Sequence, residues 1–530
     1  MKFLRQYGWL LLALGVGAVC RFWDLTGPSL FIDEGFTFHI SSFAPRLLLQ
    51  EVAHADFHPP LFYLLTHELL RLHWQPWNYR YLTALVGLAT IAATWGFARK
   101  QFGAVAAAFA ALFVAVEPNL VEWDRLYRMY APLVALGAVS WWLLLKACAA
   151  TGRARLWYWG AYWLCAVLLP YTQYLGILIV FGQSLYALVR WRERWPAFIG
   201  FAAALIALVP WAWAIRVQYP NGGEVIPMGS SRFSWPVLVR SLITAGLPAS
   251  WVLTPHFDQI FMAGTLALVA AGTYLGRRSA LVFWLAPAAL QVVVAVISGK
   301  DIIIPRHLLM YLPAIAVCAA VVVSALLQTR WRIAGVAVAL CWFGIGAVSI
   351  ADTTFDKFYQ FPDWYAINIL LLQKEQRHDL IVMDQGAEYW VVHDYTGFRG
   401  HQMDAPALPT DIDSDIRWLR GYPTRRVWYI ENQPFFTDNA RRLQADLERT
   451  RPRLGAWIQP HVFEEDVVRV VLYGPRLPAG RSKARTPSAR LPGTSLLAAS
   501  AGSCGWTRRR ASSLRPTSRS GPRIGTAIDT

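Results

Sequence analysis

Apolar residues along this chain gather in long runs separated by short basic or acidic segments. The first run, Tyr7 to Trp23, follows Lys2 and Arg5. Others lie near residues 79–98, 104–121, 129–148, 157–172, 174–190, 197–216, 258–276, 280–298, 307–327 and 333–350. A helix crosses a bilayer with roughly 20 apolar residues, and about 17 is the lower limit. The pattern therefore predicts eleven spans, several of them short. In the first run, Ala18, Val19 and Cys20 are followed by bulky Arg21, Phe22 and Trp23, and no small-x-small cleavage site stands out. This reads as a retained signal-anchor helix.

Basic clusters set the sidedness. Lys2/Arg5, Arg99/Lys100, Lys146/Arg153/Arg155, Arg190/Arg192/Arg194, Arg277/Arg278 and Arg330/Arg332 fall at every second boundary. Lys and Arg concentrate on the cytoplasmic side. The N-terminus is then expected inside, and residues 24–78, 122–128, 217–257, 299–306 and 351 onward outside. Leu61 to Leu72 is apolar but short, and it carries His67, Glu68 and Arg71. A span there would reverse every later cluster, so it is expected to lie along the outer interface.

After Ile350 the long apolar runs stop. Asp379 to Asp384, Arg426 to Ile430 and Val467 to Leu472 read as strands, and Trp364 to Gln373 and Asp438 to Glu448 as helices. The expected organisation is an all-α membrane bundle over 1–351, a small external α/β domain over 352–475, and a disordered basic tail over 476–530, too poor in apolar residues to form a core.

Composition supports lipid as the solvent. The chain is 55% hydrophobic and 16% charged, against roughly 25% charged in soluble domains. Its 26 Trp suit the membrane–water boundary. The net charge of +17 does not form a nucleic-acid stripe, because residues 481–530 hold ten Lys/Arg against one Asp and the rest sits in short clusters between apolar runs. The six cysteines form no CxxC pair and read as small hydrophobes.

The first external loop carries the candidate chemistry. It contains Phe31-Ile-Asp33-Glu34-Gly35-Phe36, then Asp56-Phe57-His58-Pro59-Pro60-Leu61. Adjacent acids beside large hydrophobes at a membrane boundary are costly unless they face a cavity or a partner. Pro59 and Pro60 fix two successive φ angles and hold Asp56 and His58 in an extended entry to the interfacial helix.

These two segments resemble the dolichyl-phosphate-mannose–protein mannosyltransferase family and its bacterial relatives in glycosyltransferase family 39. The lipid A aminoarabinose transferases share the layout, with a different residue before the two prolines. Two further segments resemble the same proteins: Glu122-Trp-Asp-Arg125-Leu-Tyr-Arg128-Met-Tyr130, and Pro305-Arg306-His307-Leu-Leu-Met-Tyr311-Leu-Pro313. The resemblance covers roughly residues 5–400. His307 stands where Tyr is usual, Asp124 where Ala is usual, and the 217–257 loop is too short for the β-trefoil insert of eukaryotic members. A protein acceptor is therefore not implied.

The resemblance implies a GT-C-like fold and transfer of a sugar from a polyprenyl-phosphate lipid to an acceptor hydroxyl at the external membrane face. A hydroxyl nucleophile needs a base, and Asp33 is assigned that role, with inversion at the anomeric carbon. Glu34 is placed beside it as a second catalytic residue. Asp56, His58, Arg125, Arg128, Tyr130 and Arg306 are assigned to the donor phosphate and substrate, the arginines offering permanent charge to phosphate oxygens. Glu34, Asp56 and His58 have two standing alternatives: to hold a divalent metal, or to orient Asp33 and contact substrate. The setting implied is a bacterial plasma membrane, with the α/β domain outside and a glycan, lipid or protein as acceptor. Tyr127, Tyr171 and Tyr174 read as interfacial aromatics. A polytopic transporter or flippase is the competing class, but no two-half repeat is visible and the candidate charges cluster on one face. A non-catalytic subunit would not need acids and arginines to converge.

Overall fold

The computed structural model describes residues 2–56, 58–189, 194–225, 255–298, 303, 305–355, 362–376, 378–383, 412–432, 438–459, 467–477 and 495–496. Arg190 and Arg192, Phe57, most of the 217–257 loop, and the tail beyond Leu477 apart from Ser495 and Leu496 lie outside the described residues.

The apolar runs form helices close to their expected positions. These are α1 (Lys2–Phe22), α5 (Arg80–Phe102), α6 (Ala104–Ala115), α7 (Pro118–Asp124), α8 (Tyr130–Ala149), α9 (Gly152–Thr172) and α10 (Gly176–Leu188). They continue as α11 (Pro196–Leu208), α12 (Ala212–Val225), α13 (Pro255–Leu275) and α14 (Leu281–Ser298). The last are α15 (Pro305–Leu308), α16 (Leu312–Leu327) and α17 (Arg332–Phe355). Between α1 and α5 the chain makes three short helices: α2 (Ile32–Ser42), α3 (Pro45–Ala55) and α4 (Leu61–Leu69). The segment expected at the interface is thus helical and short.

The expected single run 104–121 is broken. α6 and α7 meet at 56°. Pro118 opens α7 and has no N–H to continue the earlier helix, while the Glu117 side chain caps α7 by accepting from Leu120 N at 2.7 Å. Among the described residues, five helices are long and apolar enough to span, or six if this bent pair is one crossing. Four more apolar helices, over 7–22, 176–188, 263–275 and 281–297, are shorter. Helix length alone therefore does not establish the expected eleven spans.

α5 sits at the middle of the bundle, packed on α1, α6 and α8, and α6 packs in turn on α16. Ala106, Ala107, Ala110, Ala111 and Ala115 are buried on α6, and small side chains let membrane helices approach closely. Gly87 on α5 has a specific reason to lack a side chain: a Cβ there would overlap the Asp124 carboxylate and Arg21 Nε. Of the cysteines, Cys165 and Cys318 are buried, but Cys341 is exposed on the outside of the bundle.

The C-terminal part builds a sheet. Strands β1 (Leu380–Met383), β2 (Val427–Glu431), β3 (Arg453–Gln459), β4 (Val468–Tyr473) and β5 (Ser495–Leu496) lie in the order β1-β2-β4-β3-β5. β1 is parallel to β2, β4 is antiparallel to β2 and β3, and β5 is parallel to β3. The region expected to lack structure thus supplies a two-residue edge strand. Apolar residues on both faces let helices cover both sides. Ile381, Met383, Trp428, Ile430 and Val470 pack with α18 (Trp364–Lys374) in a core continuous with the bundle. Leu380, Val382, Val427 and Tyr429 pack with α19 (Ile412–Arg420) and α20 (Asp438–Thr450). α18 is fixed to the first loop: Ser29 Oγ accepts from Tyr365 N at 3.0 Å and donates to the Asp363 carboxylate at 3.5 Å.

The C-terminal end of α1, the N-terminal ends of α5 and α8, and the short helices α2 and α4 meet at one end of the bundle through Arg125, Arg80 and Arg128. This is the end at which the candidate residues collect.

Candidate active site

The Asp33–Glu34 pair occupies the first turn of α2, where the exposed amides and helix dipole favour negative charge. Neighbouring helical residues point about 100° apart, so the two acids go to different places. Glu34 turns inward. Oε2 accepts from Phe31 N at 2.8 Å, satisfying the amide of the N-cap residue, and Oε1 accepts from Tyr127 N at 2.8 Å. Arg80 grips the same carboxylate with Nε at 2.8 Å and Nη2 at 2.5 Å. Arg80 also donates to the carbonyls of Leu25, Pro28 and Ser29. None of the Glu34 side chain is exposed, against 28% of Asp33. The expectation of Glu34 as catalytic residue or metal ligand is corrected on this ground: both oxygens are committed to fixing the loop. Arg80, absent from the sequence reading, is its partner.

Asp33 stays at the opening. Its carboxylate lies 3.7 Å from Arg128 Nε, too far for a hydrogen bond. Among the described residues no donor hydrogen-bonds it. The residue is held through its backbone instead, its carbonyl accepting from Thr37 Oγ1 at 2.8 Å and from Arg128 Nη1 at 3.0 Å.

Asp56 and His58 form a second centre. Asp56 Oδ1 lies 2.9 Å from His58 Nδ1, and Oδ2 accepts from the Tyr63 hydroxyl on α4. Burial would raise the Asp56 carboxyl, but His58, Arg128 and the Tyr63 hydroxyl together hold it at about 2. An ionised carboxylate only accepts, so Nδ1 of His58 is the donor in this contact. His58 Nε2 then faces the Tyr130 hydroxyl at 3.5 Å. Gln218 on α12 ties this turn to the bundle, donating to the carbonyls of Val52 at 2.9 Å and His58 at 3.3 Å and accepting from Tyr174 at 2.6 Å.

Arg128 joins the two centres. It is buried, and Nη1 reaches the Asp33 carbonyl, Thr37 Oγ1 at 2.6 Å and the Tyr63 hydroxyl at 3.5 Å. Burial works against its charge, but Tyr63, Asp33, Tyr130 and Asp56 raise it above the usual arginine range. Among the described residues its Nε is buried without a hydrogen-bond acceptor, as is Nε of Arg306. The charges of Arg306 and Arg128 both bear on Tyr130, which puts the late-helix arginine on the same side of the bundle without a direct contact to Asp33 or Arg128 among the described residues. Asp33, Asp56, His58, Arg128 and Tyr130 are brought together by direct contacts and through Tyr63.

Arg125 is not available to them. Its guanidinium donates to the carbonyls of Cys20, Arg21 and Trp23, the last at 2.6 Å, and of Asp24 at 3.4 Å. The expectation of a phosphate contact gives way to a cap on the C-terminal end of α1, where four carbonyls lack helical partners. Asp124 has its own role, a buried pair with Arg21 at 2.7 Å that joins α7 to α1. Tyr127 is likewise no surface aromatic: it is buried, stacked on Phe38 at 5.3 Å and within 3.2 Å of the Thr66 hydroxyl.

The donor set does not fit a metal. Among the described residues no three His, Cys, Asp or Glu side chains gather in that way. Both Glu34 oxygens bind Arg80, and both Asp56 oxygens are hydrogen-bonded. What the geometry offers is a partly exposed carboxylate beside the Arg128 guanidinium, whose Nε has no acceptor among the described residues. It can accept a proton and stabilise an anion a few ångströms apart.

Residues 57–214 match the family model described as dolichyl-phosphate-mannose-protein mannosyltransferase. Among solved structures, the chain is similar to ArnT from Cupriavidus metallidurans in the apo state, with 17% identity, a TM-score of 0.55, and coverage of 88% of this chain and 98% of that one. It is also similar to the same ArnT bound to undecaprenyl phosphate, at 16% identity, TM-score 0.52 and the same coverage. The Archaeoglobus fulgidus oligosaccharyltransferase in the apo form matches at 11% identity and TM-score 0.51, over 86% of this chain and 74% of that one. No curated protein matches by sequence search.

Proposed function

We propose that this chain, which resembles GT-C-like glycosyltransferases in its 57–214 family match and in its fold, is a membrane glycosyltransferase that moves a sugar from a polyprenyl-phosphate carrier to an acceptor hydroxyl at the outer face of a bacterial plasma membrane. The observation that carries this reading is the pairing of a partly exposed Asp33 with the buried Arg128, whose Nε–H has no hydrogen-bond acceptor among the described residues. A transporter has no need of a base beside such a cation.

The acceptor hydroxyl gives its proton to the Asp33 carboxylate as its oxygen attacks the anomeric carbon. The bond from that carbon to the phosphate oxygen breaks, and its electron pair stays on the phosphate. Arg128 and Arg306 stabilise the charge that develops there. A single displacement inverts the anomeric configuration. His58, oriented by Asp56, and Tyr130 line the same space and contact donor phosphate or sugar. The hydrophobic chain of the donor lies in the bilayer beside the bundle. The sheet and helices beyond Phe355, external in this orientation, help select the acceptor.

Reconstituted protein supplied with a polyprenyl-phosphate sugar tests this by release of polyprenyl phosphate. A positioned base contributes about 10²–10⁴ in rate. Asp33→Asn should lose at least about a hundredfold while keeping the wild-type thermal midpoint. Undiminished turnover in that variant removes Asp33 as the base.

The Asp56–His58 hydrogen bond favours one second reading, with His58 Nε2 as the proton acceptor and Asp56 as its orienting partner. Under that reading His58→Gln abolishes turnover and Asp33→Asn does not.

A further inference from the structure

We propose that Thr37 and Tyr63 are positioning residues for Arg128: two hydroxyls that pin one corner of its guanidinium so that the opposite edge faces the donor phosphate. The proposal rests on the reading of Arg128 as a phosphate ligand. Neither residue is charged, and neither stands out in the sequence.

The geometry is polar in one direction. Thr37 lies one turn after Asp33 on α2, and its hydroxyl proton goes to the Asp33 carbonyl at 2.8 Å. That leaves its lone pairs for Arg128 Nη1 at 2.6 Å. Tyr63 lies on α4 and is fully buried. Its proton goes to Asp56, leaving its oxygen toward the same Nη1 at 3.5 Å. The third partner of Nη1 is the Asp33 carbonyl itself, at 3.0 Å. Three acceptors from two helices thus converge on one nitrogen. Among the described residues Nε and Nη2 have no acceptor.

Nε and Nη2 form the side of guanidinium that binds two oxygens of one phosphate in parallel. A long side chain free to rotate would present that edge only part of the time. Fixing Nη1 presents it constantly. Because one of the fixing groups is the Asp33 backbone, the distance between base and phosphate ligand is set by the same contacts. The Arg128 Nε–Asp33 separation of 3.7 Å then keeps the carboxylate near the cation without a hydrogen bond that would hinder proton uptake.

Charge grows on the phosphate in the transition state, so a misoriented Arg128 lowers kcat more than it raises KM. The test measures both constants for a polyprenyl-phosphate sugar, and the thermal midpoint, in Thr37→Val, Thr37→Ser, Tyr63→Phe and Arg128→Ala. Thr37→Val keeps the shape and loses the hydroxyl. It should lower kcat about ten- to a hundredfold, as expected for one hydrogen bond to a charged group, with KM changed less. Thr37→Ser should recover most of that loss, and Tyr63→Phe should behave like Thr37→Val. Equal losses in the Val and Ser variants, or losses that track the thermal midpoint, overturn the proposal. If Arg128→Ala is inactive while Thr37→Val and Tyr63→Phe are both fully active, the positioning idea fails and the phosphate reading survives. If Arg128→Ala is itself active, both fail.

Discussion

Replacing Glu34 by Gln separates scaffold from chemistry. The substitution keeps size and shape but removes the charge that faces Arg80. Arg80 would then be a cation with 2% of its side chain exposed, facing a neutral amide where the Glu34 carboxylate had been. Removing one partner of a buried ion pair costs about 3–5 kcal/mol, chiefly from the stranded charge. Part of the Gln amide would also turn donor against the donors of Arg80, Phe31 N and Tyr127 N, since only one of its two terminal atoms accepts. The assay is thermal or denaturant unfolding of the purified protein followed by Trp fluorescence, in parallel with sugar-lipid turnover. Glu34→Gln should unfold well before the wild type, and whatever folded fraction remains should retain turnover. Adding Arg80→Met should recover part of the loss, because an apolar replacement of the whole pair removes the stranded charge. A Glu34→Gln protein as stable as wild type but inactive would refute the reasoning and return Glu34 to the chemistry.

Three other outcomes follow from the same contacts. Gly87→Ala should destabilise by about 1–3 kcal/mol, the usual cost of overpacking, because the new methyl group overlaps the Arg21–Asp124 pair; unchanged unfolding would contradict that packing. Asp56 is held at about 2, below its usual 3.8; with a depressed value its contribution, about 2 kcal/mol, is complete above about pH 4 and lost as pH falls through about 2. Stability between pH 4 and 7 should therefore show no transition that disappears in Asp56→Asn. Asp379 accepts from Arg426 Nε at 2.9 Å and from Trp428 Nε1 at 2.9 Å, so Asp379→Ala should loosen the C-terminal sheet, read as faster amide exchange in β1 and β2, and leave the bundle unaffected.

The helices of the bundle were legible because lipid demands long apolar runs, and the site motifs because charge beside lipid needs a reason. Three things were not legible. Asp33 and Glu34 are neighbours of similar chemistry, and only the turn of α2 sends one to the opening and the other to Arg80. Arg125 and Arg128 are three residues apart, yet one meets the carbonyls ending α1 and the other meets Asp33; no local pattern distinguishes them. Arg21, Arg80, Thr37 and Tyr63 act through partners distant in sequence or through uncharged hydroxyls inside apolar stretches, so they carried no signal. In the sheet, β3 was missed because Gly455 and a register shift after Arg453 break its alternation. The break at Glu117–Pro118 was readable from the proline, but the continuous apolar run around it favoured a single span.

A cryo-electron microscopy structure with a polyprenyl phosphate bound tests the central claim most directly. The account predicts the phosphate within hydrogen-bonding reach of Arg128 and Arg306, with its ester oxygen toward Asp33 and its lipid chain leaving sideways into the bilayer. A phosphate seated at Arg125, or at the opposite end of the bundle, would contradict it.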